Sequence, residues 1–282
     1  MAADFDIQTV SYTGASAPAD FTRSLRETGF AVLTDHPIGP ERIAEAYSAW
    51  GRFFNSEAKH AYTARPETQA GFFPFRSENA KGAKAKDLKE FYHVYPDGPV
   101  PPELEALTRK LYADLVAIGA ALLQWVQAEA PPEVRVRFSE PLPAMLAGSK
   151  QNLLRIIHYP PVDEVPEPGA VRAAAHGDIN LVTVLLAGSA PGLEARDTGG
   201  NWHAVPCDPG MIAINCGDML EMASGGYFPS TVHRVVNPEQ TAKGARFSMP
   251  MFCHPRPEVV LKPGTTADDF LQQRLREIGL KG

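Results

Sequence analysis

The chain has 282 residues, with 27 lysines and arginines against 33 acidic residues for a net charge of −6, and 44% of it is apolar. That apolar content supports a packed core and excludes a wholly disordered chain, while the length fits one large β domain or two average ones. A mildly acidic, mixed surface gives no electrostatic basis for binding nucleic acid or an anionic membrane.

The opening stretch MAADFDIQTV carries neither a basic segment nor an apolar one, so no secretory signal is expected and the protein is expected in the cytoplasm. Residues 1–150 read as mostly helical. After Pro40, Ile43, Ala46, Tyr47, Trp50, Phe53 and Phe54 recur at helical spacing and mark one apolar helix face. A longer run, Leu104, Leu107, Leu111, Leu115, Ile118, Leu122 and Trp125, keeps the same period between Pro101-Pro102 and Pro131-Pro132 and predicts a scaffold helix. Its apolar centre, VAIGAALLQWV, is too short to span a bilayer. Between the two helices, GFFPFRSENAKGAKAKDLKEFYHV predicts a loop followed by a strand, with Lys81, Lys84, Lys86 and Lys89 as a solvated face.

After residue 150 the texture changes to short β-type runs separated by Gly, Pro, Asn and Asp: LLRIIHY, LVTVLL, GLEARD, WHAVP, MIAIN, TVHRVV, RFSMPMF and EVVL. Many short strands with turn signals predict a barrel or jelly roll over residues 151–262, mainly β with flanking helices, and not a parallel α/β sheet. A final helix is expected from about Asp268 to Ile278, within a 263–282 tail that packs on the outside of a single domain. Cys207, Cys216 and Cys253 form no CxxC pair, and an odd count suits a reducing compartment, with the thiols as small buried hydrophobes.

The chemistry concentrates in that second half. In AAAHGDINLVTVLL, His176 and Asp178 are two apart at the start of a β-type run, a spacing that sends both side chains from one strand face. His233 follows 55 positions after Asp178 on another such run. Two histidines and one carboxylate form a facial triad that leaves coordination positions open, as non-haem Fe(II) oxygen chemistry requires. By itself HxD with a distant His also arises by chance. Arg246 and Ser248 in ARFSMPMF lie 13 and 15 positions beyond His233, again two apart on a predicted strand, and can present a guanidinium and a hydroxyl to one carboxylate. A cation inside a β core needs an anionic partner; a structural ion pair with a core acid is the alternative.

The pattern His176-x-Asp178, His233, Arg246-x-Ser248 resembles the isopenicillin N synthase-like branch of the Fe(II)/2-oxoglutarate-dependent oxygenases. The resemblance extends through GFAVLTDHPI, DLKEFYHV, LLRIIHYPP and the long segment from PGLEARD to HRVVNP, in order along nearly the whole chain. It implies a double-stranded β-helix, Fe(II) held by His176, Asp178 and His233, and the distal carboxylate of 2-oxoglutarate bound by Arg246, Ser248 and Tyr159. Gly177 stands where the family often has Thr or Ser. The implied reaction uses O2, releases succinate and CO2, and oxidises, most simply by hydroxylation, a small-molecule substrate. The Arg-x-Ser pair also occurs in oxoacid-independent members, so a 2-oxoglutarate-independent oxidase and an ethylene- and succinate-forming enzyme are the alternatives within the family. A non-oxidative metal-binding β-helix protein is the alternative outside it.

Substrate contacts are expected among Arg76, Phe91, His93 and Arg155 before the metal motif and Phe228 and Phe252 after it. Arg155 is four residues before Tyr159, so alternation puts both on one face of their strand. His36, before Pro37, resembles a turn residue of the family, and His158, His203 and His254 have no partner at ligand spacing; all four read as structural.

Overall fold

Alternation of apolar and small or polar residues decides this architecture. A computed structural model describes residues 5–65, 67–77, 87–161, 172–189, 191–236 and 245–277. Up to residue 150 the elements are β1 (Thr9–Ser11), α1 (Ala17–Thr28), β2 (Phe30–Thr34), α2 (Pro40–Phe54), β3 (Gly71–Phe73), β4 (Glu90–Val94), α3 (Pro102–Glu129), α4 (Pro132–Arg135) and α5 (Leu142–Leu146). Next come β5 (Leu153–Tyr159), β6 (Ala173–His176), β7 (Val182–Leu186), β8 (Leu193–Arg196), β9 (Trp202–Ala204) and β10 (Ile212–Cys216). The chain continues through α6 (Asp218–Ser224), β11 (His233–Val235), β12 (Arg246–Cys253), β13 (Val260–Lys262), β14 (Thr265–Thr266) and α7 (Ala267–Glu277).

Eight strands form one sheet in the order β1-β2-β10-β7-β12-β5-β4-β3, and a four-stranded sheet runs β6-β11-β8-β9. Neighbouring strands pair antiparallel except β1 and β2. This is the jelly-roll core expected, with one addition. The mostly helical first half also supplies β1 to β4, so both edges of the large sheet come from it.

Each large-sheet strand has two destinations. On one face Ala31, Leu33, Leu154, Ile156, Val182, Val184, Leu186, Ile212, Ile214, Met249, Met251 and Cys253 pack into the main core with the helices. Their sequence neighbours Phe30, Val32 and Ala213 point the other way and meet Ala195 and Val205 of the small-sheet region, while Phe91, Ile157 and Tyr159 cluster with Phe73 further along. A period of two thus separates a scaffolding face from a face turned toward the second sheet.

Helix α3 is the spine. By length and composition it could cross a membrane, yet Leu111, Leu115, Ile118, Leu122, Leu123 and Val126 are buried against α1, α5 and the scaffolding face of β7 and β12. Gly119 in its middle costs helix propensity, but a Cβ there would sit 2.6 Å from Cys253 Sγ, so the glycine lets helix and strand approach. Gly29 caps α1 at φ 72, a left-handed conformation glycine adopts without strain, and turns the chain directly into β2.

Two expectations need correction. β6 ends at His176, and Asp178 lies in the turn beyond it, where its carbonyl accepts the Asp218 N–H at 2.8 Å. The two side chains therefore do not share a strand face; the turn, anchored to the start of α6, brings the carboxylate back. Helix α6 itself has no clear apolar period in the sequence. Lys89 is not solvated: it is 7% exposed and donates to Asp87 Oδ2 at 2.9 Å, because strand alternation carries Lys89, Phe91 and His93 inward. Lys81, Lys84 and Lys86 lie outside the described residues, as does Ile278 at the expected end of α7.

Candidate metal and oxoacid site

At the open end between the two sheets, His176 and His233 stand directly opposite each other in the β6–β11 ladder, with ring centroids 4.5 Å apart. Asp178 Oδ1 is 3.8 Å from each Nε2, and the three donor atoms all lie within 4.8 Å of one another. That spacing lets the three residues each offer one donor atom to a single metal ion.

The donor atoms are pre-set from behind. His176 Nδ1–H donates to the Ala174 carbonyl at 2.7 Å and His233 Nδ1–H to that of Thr231 at 3.1 Å, leaving both Nε2 lone pairs turned inward. Phe30 packs edge-on against the His233 ring at 5.6 Å. Asp178 Oδ2 accepts from Thr183 Oγ1 at 2.5 Å and from Asn215 Nδ2 at 2.8 Å, so the rear oxygen is satisfied and the front one is aimed.

Electrostatics agrees with a cation site. Burial opposes charge on Asp178, but His233 and His176 and the hydrogen bonds from Asn215 and Thr183 outweigh it and hold the carboxyl below its usual range. Desolvation, then the neighbouring His233, pushes His176 down to about 4, so it is a neutral ligand at physiological pH. The side chain of His176 is 40% accessible, making it the open wall of the triad. An anionic carboxylate and two imidazoles suit a divalent first-row metal, and three ligands on one side leave positions for other groups.

Across the cavity, Arg246 begins β12 opposite Tyr159 of β5, and Ser248 stands opposite Ile157. Antiparallel partners share a face, so the guanidinium, the hydroxyl and the phenol ring all point toward the second sheet. Arg246 is 2% exposed and its guanidinium carbon lies 5.1 Å from the Tyr159 ring centroid. The turn after β7 makes room for it: a Cβ on Gly188 would lie 2.7 Å from Arg246 Nη2. That turn is fastened by the Tyr47 hydroxyl donating to the Ala187 carbonyl at 2.6 Å and by Ser189 Oγ accepting the Phe247 N–H at 3.0 Å. A buried guanidinium beside a hydroxyl and a phenol, in a cradle that a methyl group would fill, matches the distal carboxylate of a dicarboxylic oxoacid.

The structure distributes the expected substrate residues unevenly. Arg155, Phe91 and His93 come together on the same inward face as Tyr159: Arg155 Nε donates to His93 Nε2 at 2.8 Å, and its guanidinium lies 4.6 Å from the Phe91 ring and 5.7 Å from Phe252. Phe73, absent from the sequence candidates, stacks on Phe91 at 4.6 Å and extends this aromatic wall. Two candidates lie elsewhere. Arg76 is exposed, over the ring of Phe75, and Phe228 is fully buried in the main core, where apolar packing explains it.

Three of the four histidines read as structural have ordinary partners: His36 meets the Gly210 carbonyl at 2.7 Å, His158 meets Glu90 at 2.8 Å and His203 meets Asp197 at 2.8 Å. Cys216 and Cys253 are buried and Cys207 partly so, and burial pushes the Cys207 and Cys253 thiols up to about 12, far from nucleophilic. Sequence reasoning missed Thr183, Asn215 and Gly188. The first two had a signal, since alternation from the apolar Val182 and Val184, and from Ile214, turns Thr183 and Asn215 to the site face.

Comparisons with known proteins point to one family. The pattern of the 2OG-Fe(II) oxygenase superfamily matches residues 150–255, and that of the non-haem dioxygenase in morphine synthesis N-terminal region matches residues 6–113. A crystallised candidate oxygenase from Shewanella oneidensis is 48% identical, superposes with a TM-score of 0.89, and is matched over 98% of this chain and 100% of its own. A 2-oxoglutarate-dependent dioxygenase of Monascus ruber is 28% identical over 86% of this chain and 80% of its own length. A Neurospora crassa protein crystallised in complex with alpha-KG and thymine shares the fold, with a TM-score of 0.78, 22% identity and 96% of each chain covered.

Proposed function

The chain belongs to the 2OG-Fe(II) oxygenase superfamily, and from that membership we propose that it hydroxylates a small molecule joining an anionic group to a flat apolar body. It is a non-haem Fe(II)- and 2-oxoglutarate-dependent dioxygenase. The observation that carries the assignment of roles is the approach of His176, Asp178 and His233 to one point across from a buried Arg246, Ser248 and Tyr159.

His176, Asp178 and His233 would hold the iron, and Arg246, Ser248 and Tyr159 the distal carboxylate of the oxoacid. Iron and 2-oxoglutarate together supply oxidation by O2 with release of succinate and CO2. The protein's own part is orientation and exclusion. Thr183 and Asn215 keep Asp178 ionised and aimed; the Ala174 and Thr231 carbonyls accept from Nδ1 of the two histidines and leave each Nε2 turned to the site. Phe30 and the apolar wall of Val32, Ala195 and Ala213 limit water behind the metal, which restrains uncoupled oxidation.

Substrate class follows from the far wall. Arg155, steadied by His93, offers a guanidinium for a carboxylate or similar anion, and Phe73, Phe91 and Phe252 offer ring faces for a flat body. Relatives handle molecules of comparable size, thymine for the Neurospora protein and JA for JOX2.

The test begins without oxygen: Fe(II) and 2-oxoglutarate added to apo-protein should produce the visible charge-transfer band of a chelated oxoacid, and admitting oxygen should release succinate. A panel of flat carboxylates, each with its uncharged amide, should then stimulate turnover in favour of the acids, a preference that Arg155→Met removes. Equal stimulation by acids and amides would sink the anionic-substrate proposal, and iron binding without the band would sink the cosubstrate assignment.

A further inference from the structure

Beyond Arg246, a second guanidinium reaches the same phenol ring. Arg172 lies immediately before β6, is 4% exposed, and places its guanidinium carbon 5.7 Å from the Tyr159 ring centroid, against 5.1 Å for Arg246. It precedes His176 by four residues, so strand alternation turns it to the face that carries this metal ligand. Two buried cations from different sheets thus converge on one ring at the oxoacid end of the cavity.

This convergence is electrostatically costly. Burial, and then the charge of Arg246, hold the Arg172 guanidinium below its ordinary value. Like charges brought together away from water favour an anion at the site, and a carboxylate, with two oxygens and about four acceptor positions, can accept from two guanidinium forks at once.

We propose that Arg172 is a second binding residue for the distal carboxylate of 2-oxoglutarate, acting with Arg246 across the ring of Tyr159; this rests on the cosubstrate reading above. Two consequences follow. The site discriminates dicarboxylic oxoacids from monocarboxylic ones more strongly than a single arginine could, because the distal carboxylate accepts from two guanidiniums and its loss removes both sets of charge-assisted bonds. It also ties the oxoacid directly to the strand that presents His176, so cosubstrate binding tightens one wall of the metal triad.

The experiment uses full-length protein loaded with Mn(II), titrated calorimetrically with 2-oxoglutarate and with 2-oxopentanoate, which has the same carbon chain but no distal carboxylate. Arg172→Gln is expected to weaken 2-oxoglutarate binding about 10- to 100-fold, the worth of a charge-assisted bond, and to leave 2-oxopentanoate within about twofold. Arg172→Lys keeps the charge but not the fork and serves if the glutamine variant fails to fold; it should lose roughly 5-fold for 2-oxoglutarate and nothing for the monoacid. Unchanged 2-oxoglutarate affinity, or equal weakening of both acids, overturns the proposal, the second by exposing a merely structural role. If the unmutated protein itself binds both acids alike, the cosubstrate reading fails and takes the proposal with it.

Discussion

Asn215 Nδ2 donates to Asp178 Oδ2 at 2.8 Å, while the other oxygen of the same carboxylate faces His176 and His233 at 3.8 Å. A residue in the middle of the large sheet therefore decides where a carboxylate in the turn after β6 points. Because Thr183 shares the task, the carboxylate is gripped from two adjacent strands, β7 and β10.

Loosening that grip should reach the metal before it reaches the fold. Asn215→Ala and Thr183→Val are each expected to weaken divalent-metal binding about 10- to 100-fold, the usual scale for an orienting partner. The double variant should lose less than the product of the two, since both act on one oxygen. Competition titration against a chelator, with unfolding midpoints as the control, measures this; unaltered metal affinity in both single variants would show that the turn alone positions Asp178.

Removing a ligand and removing the oxoacid's cation should have different signatures. His176→Ala and Asp178→Ala are expected to abolish iron-dependent turnover, whereas Arg246→Ala should retain iron and lose affinity for 2-oxoglutarate by roughly 100-fold. Gly188→Ala offers a subtler version, because its methyl would displace Arg246 Nη2 from 2.7 Å; it should raise the KM for 2-oxoglutarate while metal binding stays constant. Loss of metal from Gly188→Ala would contradict the separation of the two subsites.

The contact between α3 and β12 predicts a variant that harms stability without touching chemistry. Gly119→Ala improves helix propensity on its own, yet its Cβ would fall 2.6 Å from Cys253 Sγ, and overpacking of this kind costs about 1–3 kcal/mol. Urea denaturation should show a lowered midpoint with kcat/KM preserved, and pairing the change with Cys253→Ala should restore much of the loss.

Acid should destabilise the metal-free protein over a defined window. His176 and His254 are both pushed down to about 4, each by burial first, from an ordinary value of 6.5. Between those pH values the unfolded chain takes up protons that the folded one refuses, so stability present above about pH 6.5 is lost as pH falls toward 4. The open face of His176 lessens its share through solvent screening. Denaturation midpoints at pH 7, 5.5 and 4.5 should decline in that order, and the decline should be smaller in His254→Asn.

Much of the site is legible in the sequence for a local reason. Arg246-x-Ser248 lies within a single strand whose alternation is visible in RFSMPMF, and HxD with a distant His keeps its spacing whatever surrounds it. The rest depends on partners far away in the chain. Asp178 looks like a strand residue until the start of α6 captures its carbonyl; Lys89 looks like part of a basic loop until β4 finds β5 and turns it inward. Arg172 carries no local mark at all, since only the approach of β6 to the end of β5 reveals that it shares a ring with Arg246. Phe228 erred in the opposite direction, because an aromatic close in sequence to a ligand histidine can still belong to the helical core.

The position of β2 governs how the molecule comes into being. Drawn from the first 34 residues, it lies inside the large sheet with Phe30 beside Asn215 and Leu33 beside Ile212, partners made about 180 residues later. During synthesis at ~5–20 residues per second, that strand waits on the order of ten seconds or more with the edge it will share with β10 unpaired. Pairing over such sequence distances also makes folding slow, because loop-closure entropy is lost before contacts repay it. A chain halted before β10 therefore keeps an open sticky edge, so shortened products should aggregate, and iron can meet a finished pocket only after β12 has been made.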